Sequence, residues 1–425
     1  MFGLILALFI VLILIRIRLA FALLAVSMLY FWQVGMPLDI AAARVIATTQ
    51  SFPLLAIPLF ILAGNLMNRT GMTGRLFRFA SVVLGRVPGG LGHVVVAVGM
   101  LMAGTSGAAI ADAAALAHVS IDEMERRGYP RPFAAAICAF AATMGPLIPP
   151  SIMFIIFGWL ASVSVNRLFI AGAIPGLCVG LFMVVTIFII AKRKRFGVVD
   201  ERPTFGEFVR ALLSAVWAML MPVVVLGGII IGAFTATEAA AIAVAYALIV
   251  GAVIYRALTW RGLGSALKET VVTSMSVMFV VAASYPFGWI LTAEQVPQSI
   301  LEAATAISTN PFLILLLVNV VLLLLGMVME STAVLLIVVP VLLPLMKAIG
   351  VDPVHFGVIV TANLLLGTIT PPFGILMFTT CAIGKVSTLD FQRASIPFYV
   401  AFLILLALVT YVPAVSLWLP SVVLN

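Results

Sequence analysis

Apolar runs long enough to cross a bilayer, roughly 18 residues or more, recur along the whole chain between short polar interruptions. Leu168 to Ala191, Ala215 to Gly232 and Ala236 to Ile254 read as crossings, and Phe2 to Ile15 reads as a first helix. That first run has no basic segment before it and is followed by Arg16 and Arg18, which argues against a signal peptide. Thr204-Phe205-Gly206-Glu207 forms a capping box that opens an amphipathic run, with Phe208, Val209, Leu212 and Leu213 apolar and Arg210 polar. The pattern predicts a cytoplasmic interfacial helix over 203–214. Apolar segments of roughly a dozen residues flank the breaks Gly104-Thr105-Ser106-Gly107 and Met329-Glu330-Ser331-Thr332. Segments this short suit re-entrant hairpins, expected near 89–120 and 311–345.

A shift of 222 residues aligns the middle of the two halves without a gap. Gly104 falls on Gly326, Gly128 on Gly350, Gly145 on Gly367, and Pro149-Pro150 on Pro371-Pro372. Proline removes a backbone donor and displaces the carbonyl one turn earlier, so each double proline predicts a broken helix, over 132–162 and 354–383. The repeat cores span 51–165 and 272–385. Loop charge decides their relative direction. The first half carries Arg69, Arg75, Arg78, Arg86, Arg126, Arg127 and Arg131, where the second, from Thr292 to Pro353, has only Lys347 as a basic residue. Three crossings separate the repeats, an odd number, which independently turns the second upside down. Basic clusters mark the cytoplasmic side. Lys192 to Arg195 therefore lies inside, as do Arg256, Arg261 and Lys268, and both termini fall outside.

The composition agrees: 425 residues are 64% hydrophobic and 9% charged, with a mean hydropathy of +1.29. This reads as one integral membrane domain, 1–425, whose main solvent is lipid bilayer. The net charge of +8 comes from residues between apolar segments, so it signals topology and no nucleic-acid partner is expected. Cys138, Cys178 and Cys381 lie in apolar segments without metal or redox spacing and read as core residues. His93, His118 and His355 show no ligand spacing. With no His-Glu-x-x-His and no Gly-x-Ser-x-Gly, an enzyme is not expected, nor an organic cofactor.

Unwound backbone at membrane depth occurs where it is buried in protein or lines a cavity, often coordinating a cation. Helix starts at the hairpin tips present unpaired amides suited to a substrate carboxylate. The hydroxyls of Thr105, Ser106, Ser331 and Thr332 can ligate sodium or bond substrate, and Gly107 lies at the same tip. Asp112 and Glu330 are the acids deepest in apolar sequence. Either can balance a cation, or cap its own hairpin helix. Asn65 and Asn363 suit helix-to-helix hydrogen bonds ahead of a substrate role, with Asn363 kept as a substrate candidate.

The stretches Ser51 to Gly64, Gly104 to Ala115, Gly128-Tyr129, Gly145 to Ser151 and Gly367 to Gly374 resemble the large membrane subunit of tripartite ATP-independent periplasmic (TRAP) transporters. The likeness runs from about Phe2 to Pro420. It implies an all-α polytopic, elevator-type membrane protein of the ion transporter superfamily kind, with two inverted-topology repeats, each holding a re-entrant hairpin and a broken helix. It further implies sodium-driven import, across the bacterial inner membrane, of an organic acid delivered by a periplasmic binding protein. A small four-helix membrane subunit is expected as a separate chain. By the family's pattern one sodium site lies between Thr105 to Ala108 and the break at Gly145, Ile148 and Pro149. Another lies between Met329, Glu330 and Thr332 and the break at Gly367, Thr370 and Pro371. Substrate is expected at Ser106, Gly107, Ser331, Thr332 and Asn363. Arg16 and Arg18 depart from the family, which leads one to expect a nearly uncharged Gly-x-Pro-like turn there. Leu54 to Met67, the first hairpin and the first broken helix are expected to move with their inverted counterparts against a scaffold of the other helices. A stand-alone ion-coupled carboxylate transporter or antiporter of similar inverted-repeat fold is the alternative.

Overall fold

The computed structural model describes residues 2–15, 17–106, 109–194, 196 and 204–424. Among them every regular element is helical. The first half contains α1 (Phe2–Leu14), α2 (Leu19–Val34), α3 (Leu38–Thr49), α4 (Ala56–Arg69), α5 (Met72–Leu84), α6 (Gly90–Ser106), α7 (Ala109–Arg126), α8 (Arg131–Ala142), α9 (Ile152–Ala161) and α10 (Val165–Lys194). The second contains α11 (Phe205–Ile230), α12 (Ala236–Ile249), α13 (Trp260–Ala293), α14 (Val296–Ile307), α15 (Pro311–Val328), α16 (Ser331–Ala348), α17 (Pro353–Gly367), α18 (Ile375–Gly384), α19 (Thr388–Tyr411) and α20 (Ala414–Val423). Eight described helices are long and apolar enough to cross a membrane, so the chain is polytopic.

The repeat is visible helix by helix. α7 starts and stops 222 residues before α16. Each is closed by a glycine in the left-handed region, Gly128 at φ +81° and Gly350 at φ +79°. The amide after each glycine bonds back to the helix, Tyr129 N to Met124 O at 3.0 Å and Val351 N to Met346 O at 2.9 Å. This is the glycine-dependent stop that L side chains resist. The pairs α6–α7 and α15–α16 are the hairpins, and α8–α9 and α17–α18 are the helices broken at the double prolines. Both double prolines contain a cis peptide bond.

α8 and α17 are buried almost all round, as expected of helices with small or apolar residues on every face. Phe140 of α8 lies 5.2 Å from Phe398 and 5.1 Å from Phe402 of α19 between ring centroids, distances at which aromatic pairs attract. On α10 the outward side chains Leu177, Leu181 and Val185 stay exposed, which suits lipid as the surrounding medium.

Two packed groups emerge. One contains α6 to α10 with α15 to α20, and the other α1 to α4 with α11 to α13. α5 bridges α11 to α6, and α14 bridges α13 to α16. Two expectations change here. α4 packs mainly on α12 and α13 and to a lesser extent on α6 of the first hairpin, so most of the packing of Leu54 to Met67 is with the second group; Asn65 and Arg69 bond to α13. The run 203–214, described from 204, is the beginning of the continuous helix α11 and not a separate interfacial helix. Its capping box is present, but no helix breaker follows it before Pro222.

Candidate functional site

Each second hairpin arm begins beside a broken helix, and both meet at one cavity of about 460 Å³. From the first repeat its wall takes Ala109 and Ile110 at the start of α7, Pro146 at the break, and Ile152 and Met153 on α9. From the second it takes Glu330 to Thr332 at the start of α16, Leu365 and Thr368 at the break, and Ile375 and Leu376 on α18. Four pairs of wall positions are 222 residues apart: Ala109 and Ser331, Ile110 and Thr332, Pro146 and Thr368, and Met153 and Ile375. The far wall breaks the symmetry: Asn65 and Asn68 of α4 and Thr273 of α13.

At the first break, Leu147 N and Ile148 N both return to Met144 O, at 3.1 and 2.8 Å. Among the described residues, the carbonyls of Gly145, Ile148 and Pro149 accept no hydrogen bond. Ser151 holds the break from the other side, accepting from Phe154 N at 3.3 Å and donating to Pro146 O. Asp112, 1% exposed, reaches this place from the first turn of α7. A Cβ built on Gly145 would stand 2.9 Å from Asp112 Oδ2 and 3.8 Å from Ala109 N. The missing side chain of Gly145 thus lets a carboxylate and a hairpin tip close on the unwound backbone. The side chains of Thr105 and Ser106, and Gly107 and Ala108 altogether, lie outside the described residues.

The second break is built differently. The residue 222 positions after Asp112 is Val334, and the close approach is glycine on glycine. A Cβ on Gly367 would lie 2.6 Å from Gly326 C and 2.7 Å from Gly326 Cα. Gly367 O accepts from Thr370 N at 3.0 Å, Thr368 O from Leu376 N at 3.0 Å, and Ile369 O from the Tyr399 hydroxyl at 2.8 Å. Among the described residues the carbonyls of Thr370 and Pro371 accept none. Met329 is extended at the end of α15. Glu330 caps α16, accepting from Ala333 N at 3.1 Å and from the Thr332 hydroxyl at 2.9 Å, while its side chain borders the cavity. Ser331 Oγ is buried and has no hydrogen-bond partner among the described residues.

Of the two acids left open by the sequence, Glu330 performs the capping role; Asp112 is the fourth residue of α7 and sits against the broken helix. Asn363 lies outside the cavity wall and donates to Asn319 O at 2.9 Å and Asn319 Oδ1 at 2.7 Å, tying α17 to α15, the helix-to-helix role expected ahead of a substrate role. Asn65 donates to Thr270 Oγ1 at 3.0 Å, a helix-to-helix bond as expected, and also faces the cavity. Sequence reading missed Ser151, although a serine before an apolar helical run is a cap signal. It also missed Asn68, Thr273 and Tyr399, which reach the site from elements distant in the chain. Among the described residues, no three His, Cys, Asp or Glu side chains cluster to hold a metal.

Residues 6–415 match the family model described as tripartite ATP-independent periplasmic transporter, DctM component. The chain is 40% identical over 388 residues to the sialic acid TRAP transporter large permease protein SiaM of Vibrio cholerae, covering 91% of each chain. It is 40% identical over 380 residues to the C4-dicarboxylate TRAP transporter large permease protein DctM of Pseudomonas aeruginosa, covering 89% of each. The isethionate TRAP transporter permease protein DctMQ of Oleidesulfovibrio alaskensis is 37% identical over 90% of this chain and 60% of its own length. In architecture the chain is similar to the crystal structure of the Alcanivorax borkumensis YdaH transporter, with a TM-score of 0.61 at 16% identity over 88% of each chain. The all-helical inverted-repeat fold, the match over nearly the whole length and these permease relatives give one answer: this chain belongs to the DctM-component family of tripartite ATP-independent periplasmic transporters, and is a multi-pass inner-membrane permease and not an enzyme.

Proposed function

We propose that the chain imports an organic acid by sodium-coupled, elevator-type alternating access, receiving it from a periplasmic binding protein and working with a small four-helix membrane subunit. The observation that carries this reading is a cavity walled by the start of each second hairpin arm and by both broken helices. Named relatives transport sialic acid, C4-dicarboxylates and isethionate, all anions at neutral pH. Behind the first-repeat wall, Asp112 and the open carbonyls of Gly145, Ile148 and Pro149 form a hard-oxygen set that suits sodium. In the second repeat the carbonyls of Thr370 and Pro371 form the corresponding set in this reading, with Met329, Thr332 and Gly367 as the further expected contributors. A sodium ion at either place stabilises the meeting of a tip with a break, and so preorganises the helix starts for the substrate carboxylate.

In this reading the group α6 to α10 with α15 to α20 carries the cavity, and α1 to α4 with α11 to α13 stand still. α5 and α14, which link the groups, take up the displacement. The basic loops lie in the cytoplasm and both termini in the periplasm. The test is uptake of labelled organic acids into proteoliposomes holding the permease, its small subunit and the binding protein. Uptake is expected only with an inward sodium gradient and with binding protein present. Equal uptake without the gradient would contradict the coupling, and equal uptake without the binding protein would contradict the delivery step.

A further inference from the structure

Some of the described arginines have acids to meet and others do not. Arg69 pairs with Glu269 at 2.5 Å, Arg127 with Glu123 at 2.9 Å and Arg131 with Asp122 at 2.8 Å. Arg75, Arg78 and Arg256 form no ion pair among the described residues. Arg75 is nonetheless seated. Its guanidinium carbon lies 3.9 Å from the centroid of the Tyr255 ring, a cation–π contact, and its Nε is buried without a hydrogen-bond partner among the described residues. Tyr255 is held in turn by donating its hydroxyl to Ser214 O of α11 at 2.8 Å. Arg78, one turn further along α5, and Arg256, next to Tyr255, are both exposed. α5 has no acid of its own. On α11, which packs against α5, the Glu207 carboxylate is engaged by Thr204 N at 2.8 Å, while Arg210 Nε donates to Gly206 O at 3.2 Å. Three guanidinium groups thus surround one contact, between α5 and the turn after α12, with no free carboxylate of α5 to balance them.

The repeat does not require this charge. A shift of 222 places Arg75 on Pro297 and Arg78 on Ile300, and α14, the counterpart of α5, carries Glu302 and no Lys or Arg. The surface beside the arginines is apolar and open. Val253, two residues before Tyr255, is exposed, as is Ile249 one turn before that at the end of α12. Trp260, at the start of α13, is 89% exposed, and tryptophan settles at headgroup depth in a bilayer. We propose that α5 and the turn after α12 hold an anionic phospholipid of the leaflet on that side. Arg75, Arg78 and Arg256 meet its phosphate, which a guanidinium grips through paired N–H donors. The acyl chains lie along Ile249 and Val253. Neighbouring basic groups at a membrane surface attract anionic lipid more strongly than zwitterionic lipid. Because α5 bridges α11 to α6, the lipid sits on a connection between the two packed groups and away from the cavity.

The test follows the thermal unfolding midpoint of the full-length permease with its small subunit, stripped of lipid in mild detergent, as phosphatidylglycerol, phosphatidylcholine or inorganic phosphate is added. Phosphatidylglycerol is expected to reach half its effect at a concentration roughly tenfold or more below that of phosphatidylcholine. Arg75→Gln with Arg78→Gln is expected to bring the two lipids within about threefold of each other, and the exposed Arg78→Gln alone to shrink the preference roughly threefold to fivefold. Arg127→Gln removes the same charge from a paired residue and is expected to leave the preference as it was. Equal half-effects for the two lipids in the unaltered protein would overturn the proposal, as would a full preference in Arg78→Gln. An equal loss in Arg127→Gln would reduce the effect to net charge and overturn the site. A response to inorganic phosphate at the concentrations that suffice for phosphatidylglycerol would overturn lipid as the occupant.

Discussion

Gly367→Ala and Gly145→Ala are the same substitution at symmetry-related positions, and the structure gives them different consequences. At Gly367 the new methyl would meet backbone, with Gly326 C, Cα and O at 2.6, 2.7 and 2.9 Å. Backbone cannot rotate away, so α15 and α17 must separate by about 0.5–1 Å. Overpacking of this kind costs about 1–3 kcal/mol. At Gly145 the nearest atoms are Asp112 Oδ2 at 2.9 Å and Ala142 O at 3.3 Å. A carboxylate can swing aside, so the fold should lose about 1 kcal/mol or less. The carboxylate, however, leaves the broken helix. If it faces a sodium ion there, losing about 1.4 kcal/mol of that interaction raises the sodium concentration for half-maximal uptake roughly tenfold. Gly227→Ala is the control: nothing lies within 4 Å of a Cβ there, and alanine in a helix is worth about 0.5–1 kcal/mol over glycine. Thermal unfolding in lipid nanodiscs and sodium titration of uptake read the two effects separately. Gly367→Ala should lower the melting temperature, Gly145→Ala should shift the sodium titration with little change in melting, and Gly227→Ala should do neither harm. If Gly145→Ala leaves the sodium titration where it was, the assignment of Asp112 to a cation is refuted.

Asn363→Ala removes two buried hydrogen bonds to Asn319, at a cost of about 2–3 kcal/mol, and should lower the melting temperature without altering the substrate concentration for half-maximal uptake. Arg131 joins Asp122 at 2.8 Å, Glu125, and the Gly384 carbonyl, thereby fastening the end of α7 to the end of α18. Its partners are partly exposed, so Arg131→Gln should cost only about 1–2 kcal/mol, seen as a lower melting temperature that depends on salt. Thr204→Ala removes the capping box of α11 and should cost about 1 kcal/mol, restored by serine and with sodium dependence unchanged.

Much of this was legible because glycine and proline report backbone geometry directly. The spacing Gly145 to Pro149-Pro150 and its copy at Gly367 located both broken helices, and the offset of 222 fixed both hairpins to within a few residues. What the sequence hid was mostly the joining of distant elements. α4 reads like any apolar segment, and only its bonds from Asn65 to Thr270 and Arg69 to Glu269 place it beside α13. Tyr399 holds the second break from 30 residues away, with no local signal. Asn363 was legible only as an alternative, because a buried amide in a broken helix looks the same whether it meets substrate or a neighbouring helix; its bonds to Asn319 show the second. Glu330 and Asp112 could not be told apart by burial cost alone. The N-cap bond to Ala333 gives Glu330 its capping role, and the approach to Gly145 places Asp112 beside the broken helix.

The central claim is that Asp112 and the unwound backbone beside it hold a coupling cation. Binding of radioactive sodium to the purified permease and its small subunit, compared between the unaltered protein and Asp112→Asn, tests it most directly. The substitution keeps the shape and removes the charge. The account predicts that Asp112→Asn weakens one class of sodium site by roughly tenfold or more. Identical sodium binding curves for the two proteins would contradict it.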